Sequence, residues 1–214
     1  MVNDSNYSET ITFCENDLTE KLFNRYKNSK YLAVDTEAMG LYHGRDRLCL
    51  IQICNESNLT SCIKIEIGNQ KALRIQNLLE DKKIMKIFHY ARFDVAALKC
   101  NLSIKTENIF CTKVASKLAR TYTNKHGLKY LINELLGIEL DKSSQSSDWG
   151  NEENLSSDQI NYAANDVKYL IKAMEKLTVI LKRENRYEIA QKCFTVIPIL
   201  SELDIQHFMN VFEH

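Results

Sequence analysis

The 214-residue chain has no excess of either charge: 28 lysines and arginines face 28 aspartates and glutamates. A protein that coats long duplexes carries a clear positive surplus, so the balance points away from that class and fits a small or short substrate better. No stretch approaches the roughly 18 uncharged residues of a membrane span, and no membrane partner is expected. The N-terminus, Met1-Val2-Asn3-Asp4, lacks the basic start and apolar core of a signal peptide. The seven cysteines (Cys14, Cys49, Cys54, Cys62, Cys100, Cys111 and Cys193) show neither CxxC nor Cys/His ligand spacing. Most lie in apolar runs such as Leu48-Cys49-Leu50-Ile51, so they read as reduced core thiols of a cytoplasmic protein. There is one proline, Pro198, with no obvious interdomain linker and no internal repeat, and residues 1–214 are expected to form a single domain. What is present, 44% apolar and 26% charged residues, is ordinary for a soluble globular chain with a substantial core.

Hydrophobic periodicity predicts a short strand at 9–14, a helix at 16–28 marked by Leu18, Leu22, Phe23 and Tyr26, and strands at 31–36, 48–54 and 60–65. The connections among those three strands are too short for a helical crossover, which predicts antiparallel pairing. A helix at 70–80, a strand at 84–88, a helix at 91–99, a strand near 108–111 and helices at 112–120 and 127–136 follow. A polar loop over 141–155 is long enough to hint at a functional or mobile segment. Beyond it one long helix is predicted, with Ser156 and Gln159 at capping-box spacing and Ile160, Ala163, Val167, Leu170, Met174 and Leu177 as its buried stripe. Pro198 is expected to separate a last pair of helices. The apolar residues of 194–214 could serve the domain itself or a neighbouring subunit. Antiparallel strands followed by alternating helix and strand predict an α/β fold, a mixed sheet with helices on both faces.

Three short segments carry the chemistry. In Tyr31-Leu32-Ala33-Val34-Asp35-Thr36-Glu37, period-two geometry puts Asp35 and Glu37 on one face at the end of an apolar strand. They are either solvated sheet residues or a paired, metal-binding couple, because acids are disfavoured in such a place without a partner. In Ile87-Phe88-His89-Tyr90-Ala91-Arg92-Phe93-Asp94, a buried strand runs into a helix with Asp94 near its first turn. The helix dipole alone would favour an acid there, and His89 could be a satisfied polar residue at the strand end. In Tyr162-Ala163-Ala164-Asn165-Asp166, the phenol and the carboxylate lie one turn apart beside the buried stripe, although a packed tyrosine with a wet hydroxyl would look the same. Taken together, four carboxylates in this order can converge on two hard divalent cations. A carboxylate-only set selects Mg²⁺ or Mn²⁺ over zinc, and phosphodiester hydrolysis is the natural chemistry of such a pair.

Asp35-Thr36-Glu37, Phe88-His89-Tyr90-Ala91-Arg92-Phe93-Asp94 and Tyr162-Ala163-Ala164-Asn165-Asp166 together resemble the three motifs of the DEDD exonucleases, in their tyrosine-bearing branch. The resemblance runs from about residue 31 to 180. Ser147-Asp148-Trp149 is similar to a pattern in ribonuclease D, although no counterpart of that family's helical nucleic-acid-binding domains is expected in this sequence. The stretch Phe110-Cys111-Thr112-Lys113-Val114-Ala115-Ser116-Lys117-Leu118-Ala119-Arg120-Thr121-Tyr122, with His126-Gly127-Leu128-Lys129, resembles the single-domain nano-RNase C group more closely. That resemblance implies an RNase H-like fold with a mixed five-stranded sheet, homo-oligomeric rings, and 3′-5′ cleavage of very short single-stranded RNA to mononucleotides. It also makes Asp35, Glu37, Asp94 and Asp166 the ligands of two divalent cations, and Tyr162 the residue that orients the attacking water. An unperturbed phenol, with a pKa of about 10, is a poor base at neutral pH, so Tyr162 is expected to orient rather than deprotonate.

Leu41 resembles the leucine that wedges between the two terminal bases in oligoribonucleases, where an apolar surface gives a base something to stack on; a core leucine is the alternative. His89 is a further candidate substrate contact. Arg120, Lys125 and His126 form the densest basic and polar cluster near the motifs and could grip a 5′ phosphate, or be a solvated helix end. The same motifs would also suit a ribonuclease D-like processor of tRNA or structured RNA 3′ ends, or a 3′-5′ DNA exonuclease, because they contact the phosphodiester and not the sugar. A catalytically silent RNA-binding module would be expected to have lost a carboxylate, and none is lost.

Overall fold

The apolar runs at Tyr31–Ala38 and Leu48–Asn55 become the central strands β2 and β3, paired antiparallel with Asp35 opposite Gln52 and Glu37 opposite Leu50. The structure, a computed structural model, describes residues 11–140, 148–150, 155–208 and 211–212. β4 (Thr60–Lys64) pairs antiparallel with β3, and β1 (Ile11–Glu15) lies parallel to β4 at the outer edge. On the other side β5 (Met85–Phe88) runs parallel to β2, and β6 (Ile109–Cys111) parallel to β5. The order is β1-β4-β3-β2-β5-β6. The mixed sheet is as expected, with six strands rather than five, because β1 hydrogen-bonds along the whole of β4 and joins as an edge.

Helices cover both faces. α6 (Ser157–Lys168) lies across β2, β3 and β4, whereas α3 (Ala91–Leu102) packs on β2, β3, β5 and β6. Every residue of β3 is buried in consequence, which is why its sequence is a near-continuous apolar run with no alternation. The shorter helices α1 (Glu20–Tyr26), α2 (Leu73–Glu80), α4 (Thr112–Ala119) and α5 (Leu128–Leu136) start or stop within a few residues of their predicted limits. Residues 16–19 and 70–72 lie outside the helices; Thr19 caps α1 by accepting from the Leu22 N–H.

Two expectations about helices are corrected. The long C-terminal helix divides at Tyr169 into α6 and α7 (Leu170–Arg183). The stripe stays buried through the break at Ala163, Val167, Leu170, Met174 and Leu177, so periodicity could not reveal it. The two parts serve different neighbours, α6 the sheet face over β2 to β4 and α7 chiefly α4 and α5. The predicted capping box at Ser156 and Gln159 is formed. Pro198 separates nothing: it lies inside α8 (Tyr187–Ile205). The ring removes one hydrogen bond, to the Phe194 carbonyl, and tertiary contacts hold the turns that follow. Arg92 donates to both oxygens of Asp204 at 2.5 and 2.6 Å, Ser201 donates to the Arg92 carbonyl at 2.9 Å, and Lys99 pairs with Glu202.

None of the seven cysteines forms a disulfide, and five of them are buried. Among the described residues no helix is long and apolar enough to cross a membrane. Residues 9–10 of the predicted first strand, and most of the predicted loop (141–147 and 151–154), lie outside the described residues.

Candidate active site

β2 delivers Asp35 and Glu37 side by side near its C-terminal end, where a register shift between Glu37 and Ala38 interrupts the pairing with β3. α6 crosses that face and presents Tyr162 and Asp166, one turn apart and both largely buried. Carboxylate oxygens of Asp35, Glu37 and Asp166 come within 4.8 Å of one another. Asp94, in the first turn of α3, approaches from beside β2. It is 3% exposed, and its Oδ1 accepts from the Thr36 hydroxyl at 2.7 Å. Asp94 interacts with Asp35 electrostatically without joining the close group of three.

The electrostatics of the cluster are unfavourable as they stand. Burial, and then the like charges of Asp94, Asp166 and Glu37, push the Asp35 carboxyl well above its usual range. Burial raises Asp94 to about 7 in spite of the Thr36 hydrogen bond. Burial and the Asp166 carboxylate hold the Tyr162 phenol far above 10. Tyr162 therefore keeps its proton at any physiological pH, which removes it as a general base and leaves it as a donor.

Divalent cations fit this site. The converging donors are all carboxylate oxygens, the hard set that suits Mg²⁺ or Mn²⁺. The nearby thiols do not compete: burial raises Cys49, and it raises Cys62 to about 12, so both stay protonated. His89 lines the cleft, but its Nδ1 is engaged with the Thr112 hydroxyl at 2.9 Å.

The cleft has a volume of about 520 Å³, and Asp35, Glu37, Tyr162 and Asp166 share its wall with Met39, Leu41, His89, Phe93, Lys113 and Trp149. Leu41 is 78% exposed, so it is not a core leucine. It follows Gly40, where a Cβ would collide with the Asp46 carboxylate that accepts from the Tyr42 N–H. Arg120, Lys125 and His126 do not form the expected grip. Arg120 is fully buried, donating to Glu134, Ser116 and the Lys125 carbonyl. The fork of a guanidinium matches a carboxylate as well as it matches a phosphate, and a neighbouring helix supplies the carboxylate first. His126 Nδ1 is 3.0 Å from the Ser116 hydroxyl, and exposed Lys125 lies over the Tyr130 ring. None of the three lines the cleft, although the adjoining Gly127 and Leu128 do.

Sequence reasoning missed four contributors. Lys113, in the first turn of α4, is a cation of the cleft wall, 4.1 Å above the Tyr90 ring; only its place directly after the His89 partner Thr112 could have pointed to it. Trp149 stands 6.3 Å from Tyr162, ring centre to ring centre, and Arg47 steadies it by donating to the Gly150 carbonyl. Thr36, between the two acids of β2, holds Asp94. Tyr90 takes a left-handed conformation (φ 72°) at the start of α3, a strained turn of the kind that clusters at functional sites.

Comparison with known proteins agrees with this geometry. The 3′-5′ exonuclease family model matches residues 10–182. DNA polymerase I of Aquifex aeolicus is 36% identical over 158 residues, 74% of this chain and 25% of the polymerase. Ribonuclease D of Sphingobium indicum is 31% identical over 163 residues, 76% of this chain and 41% of its own length. The chain thus spans between a quarter and about two fifths of these curated relatives. The solved structure of Brucella melitensis NrnC bound to pGG superposes with a TM-score of 0.90 at 42% identity, covering 97% of this chain and 100% of that one. A family match that runs from β1 to the end of α7, and so takes in every acid of the cluster, means that this chain belongs to the 3′-5′ exonuclease family.

Proposed function

We propose that the chain is an exoribonuclease that removes nucleoside 5′-monophosphates from the 3′ end of short RNAs. The observation that carries this reading is a cleft in which a carboxylate cluster shares a wall with an exposed leucine. Its volume of about 520 Å³ is that of a small-ligand site, typically about 300–1,000 Å³, and not of a groove for a folded RNA. The zero net charge supports the same scale of substrate. Among similar structures, those of Brucella melitensis NrnC include one bound to pGG and one with bound Mg²⁺.

In this reading Asp35, Glu37 and Asp166 hold two divalent cations, Mg²⁺ or Mn²⁺, and Asp94 completes the ligand set. Such ions supply Lewis-acid chemistry, polarising the phosphodiester and lowering the pKa of water. Tyr162 donates its O–H to orient the attacking water and keeps its proton throughout. Leu41 and Phe93 offer apolar faces to the terminal bases, and Lys113 offers charge to a phosphate. Exposed Val196, Ile199 and Phe208, on and just beyond α8, support self-association through that side of the molecule, with a ring as the arrangement to test by sedimentation.

The test is a time course on 5′-labelled RNAs from two to about twenty nucleotides with Mg²⁺, Mn²⁺ or chelator, beside a matched DNA dinucleotide. Turnover should require the cation and be fastest on the shortest RNAs. Equal rates at every length would refute the short-substrate reading, and faster cleavage of the DNA would replace RNA as the substrate.

A further inference from the structure

Gln52 is the one polar side chain in the β3 run Leu48-Cys49-Leu50-Ile51-Gln52-Ile53-Cys54. It is fully buried, and among the described residues neither its Oε1 nor its Nε2 has a hydrogen-bond partner. An amide left unsatisfied in a strand centre is costly, and the neighbouring positions show that an aliphatic residue would suit the strand. Its register neighbours say what the amide faces. Asp35 is its direct partner on β2, and Cys62 its direct partner on β4. Directly opposed residues project to the same face, with Cβ atoms about 4.5–5.5 Å apart. Gln52 therefore lies beneath the acid cluster, on the face that α6 covers. Cys62 directs its thiol to the Ile160 carbonyl, and of the two register neighbours Asp35 is the one that carries a carboxylate.

We propose that Gln52 is a positioning residue of the metal site, donating an N–H from its carboxamide to the Asp35 carboxylate and fixing that carboxylate for cation binding. The inference rests on the reading of Asp35 as a metal ligand. A carboxylate that binds a cation through one oxygen leaves lone pairs to be satisfied by its surroundings, and such supporting hydrogen bonds set its orientation. That hydrogen bond gives the buried amide a partner at the metal site that its packing among the described residues does not supply.

The test separates those two sources. Gln52→Met keeps the length and removes the donor; Gln52→Leu is a second apolar variant in case methionine packs poorly. Mn²⁺ binding is read without RNA, from the electron paramagnetic resonance signal of the free ion, and the midpoint of thermal unfolding is measured in chelator. Both variants should bind Mn²⁺ about 10–100-fold more weakly than the unaltered chain, while the metal-free midpoint stays level or rises. A purely structural glutamine would give the opposite pair, a lower midpoint with unchanged affinity, and that result overturns the proposal. Unfolding of both variants overturns it as well, because the amide would then be supporting the metal-free fold. Failure of the unaltered chain to bind Mn²⁺ at all removes the metal-site reading itself, and with it the inference.

Discussion

The stability of the metal-free protein should fall as the pH rises from about 4 to 7, and cations should reverse the fall. Asp94 sets a lower bound on the size of the effect. In the folded chain its carboxyl is raised from 3.8 to about 7, chiefly by burial. Between those values the folded state holds a proton that the unfolded state has released, so stability declines with increasing pH and levels off above the folded value. At about 1.4 kcal/mol per tenfold change in proton affinity, the gap amounts to roughly 4 kcal/mol. For a chain of this length that is roughly 8–16 °C in the unfolding midpoint. Asp35, also raised by burial and like charge, acts in the same direction. The assay is calorimetric unfolding at pH 5, 6, 7 and 8, with chelator or with Mn²⁺. Asp94→Asn, which fixes the neutral form, should make the metal-free profile shallower and be more stable than the unaltered chain at pH 8, while losing cation-dependent turnover. If the unaltered and Asp94→Asn profiles ran parallel in chelator, the reasoning from a buried, proton-holding cluster would be wrong.

Three further outcomes follow from individual side chains. Tyr162→Phe should lower kcat about 100-fold, the scale of a misplaced reactant, while keeping Mn²⁺ affinity; nearly full turnover would remove the water-orienting role. Leu41→Ala should lower kcat/KM on dinucleotides by the loss of about 1–3 kcal/mol of base stacking. Because Leu41 is exposed, the unfolding midpoint should not move, and a lowered midpoint would mean that the leucine packs. Arg120→Met should instead destabilise the fold by about 1–3 kcal/mol, because it removes the buried donor shared by Ser116 and the Lys125 carbonyl and leaves the half-exposed Glu134 unpaired. Turnover per folded molecule should be unchanged, and a raised KM at full stability would return Arg120 to the substrate site.

The architecture was largely legible because the signals that encode it are local. Period two at 31–37, a continuous apolar run at 48–54 and the capping box at Ser156 and Gln159 each correspond to an observed element. The break at Tyr169 and the helical Pro198 were hidden for one reason. A buried stripe can continue through a change of helix direction, and the cost of a proline can be offset by partners from another element, here Arg92 and Lys99 of α3.

By itself the sequence determined the identity and order of the acids, because a strand of period two and a helical turn of about 3.6 residues place Asp35 with Glu37, and Tyr162 with Asp166, whatever the rest of the chain does. Only the tertiary structure decided what those pairs meet. It gathered three carboxylates within 4.8 Å and turned Asp94 toward Thr36. It buried Arg120 against Glu134 while leaving Leu41 bare, and set Gln52 under Asp35. Charge, burial and hydrogen-bond competition are properties of neighbours distant in sequence. Two arginines or two leucines identical in local pattern can therefore be assigned to a core or to a cleft only when the sheet and helices have closed around them.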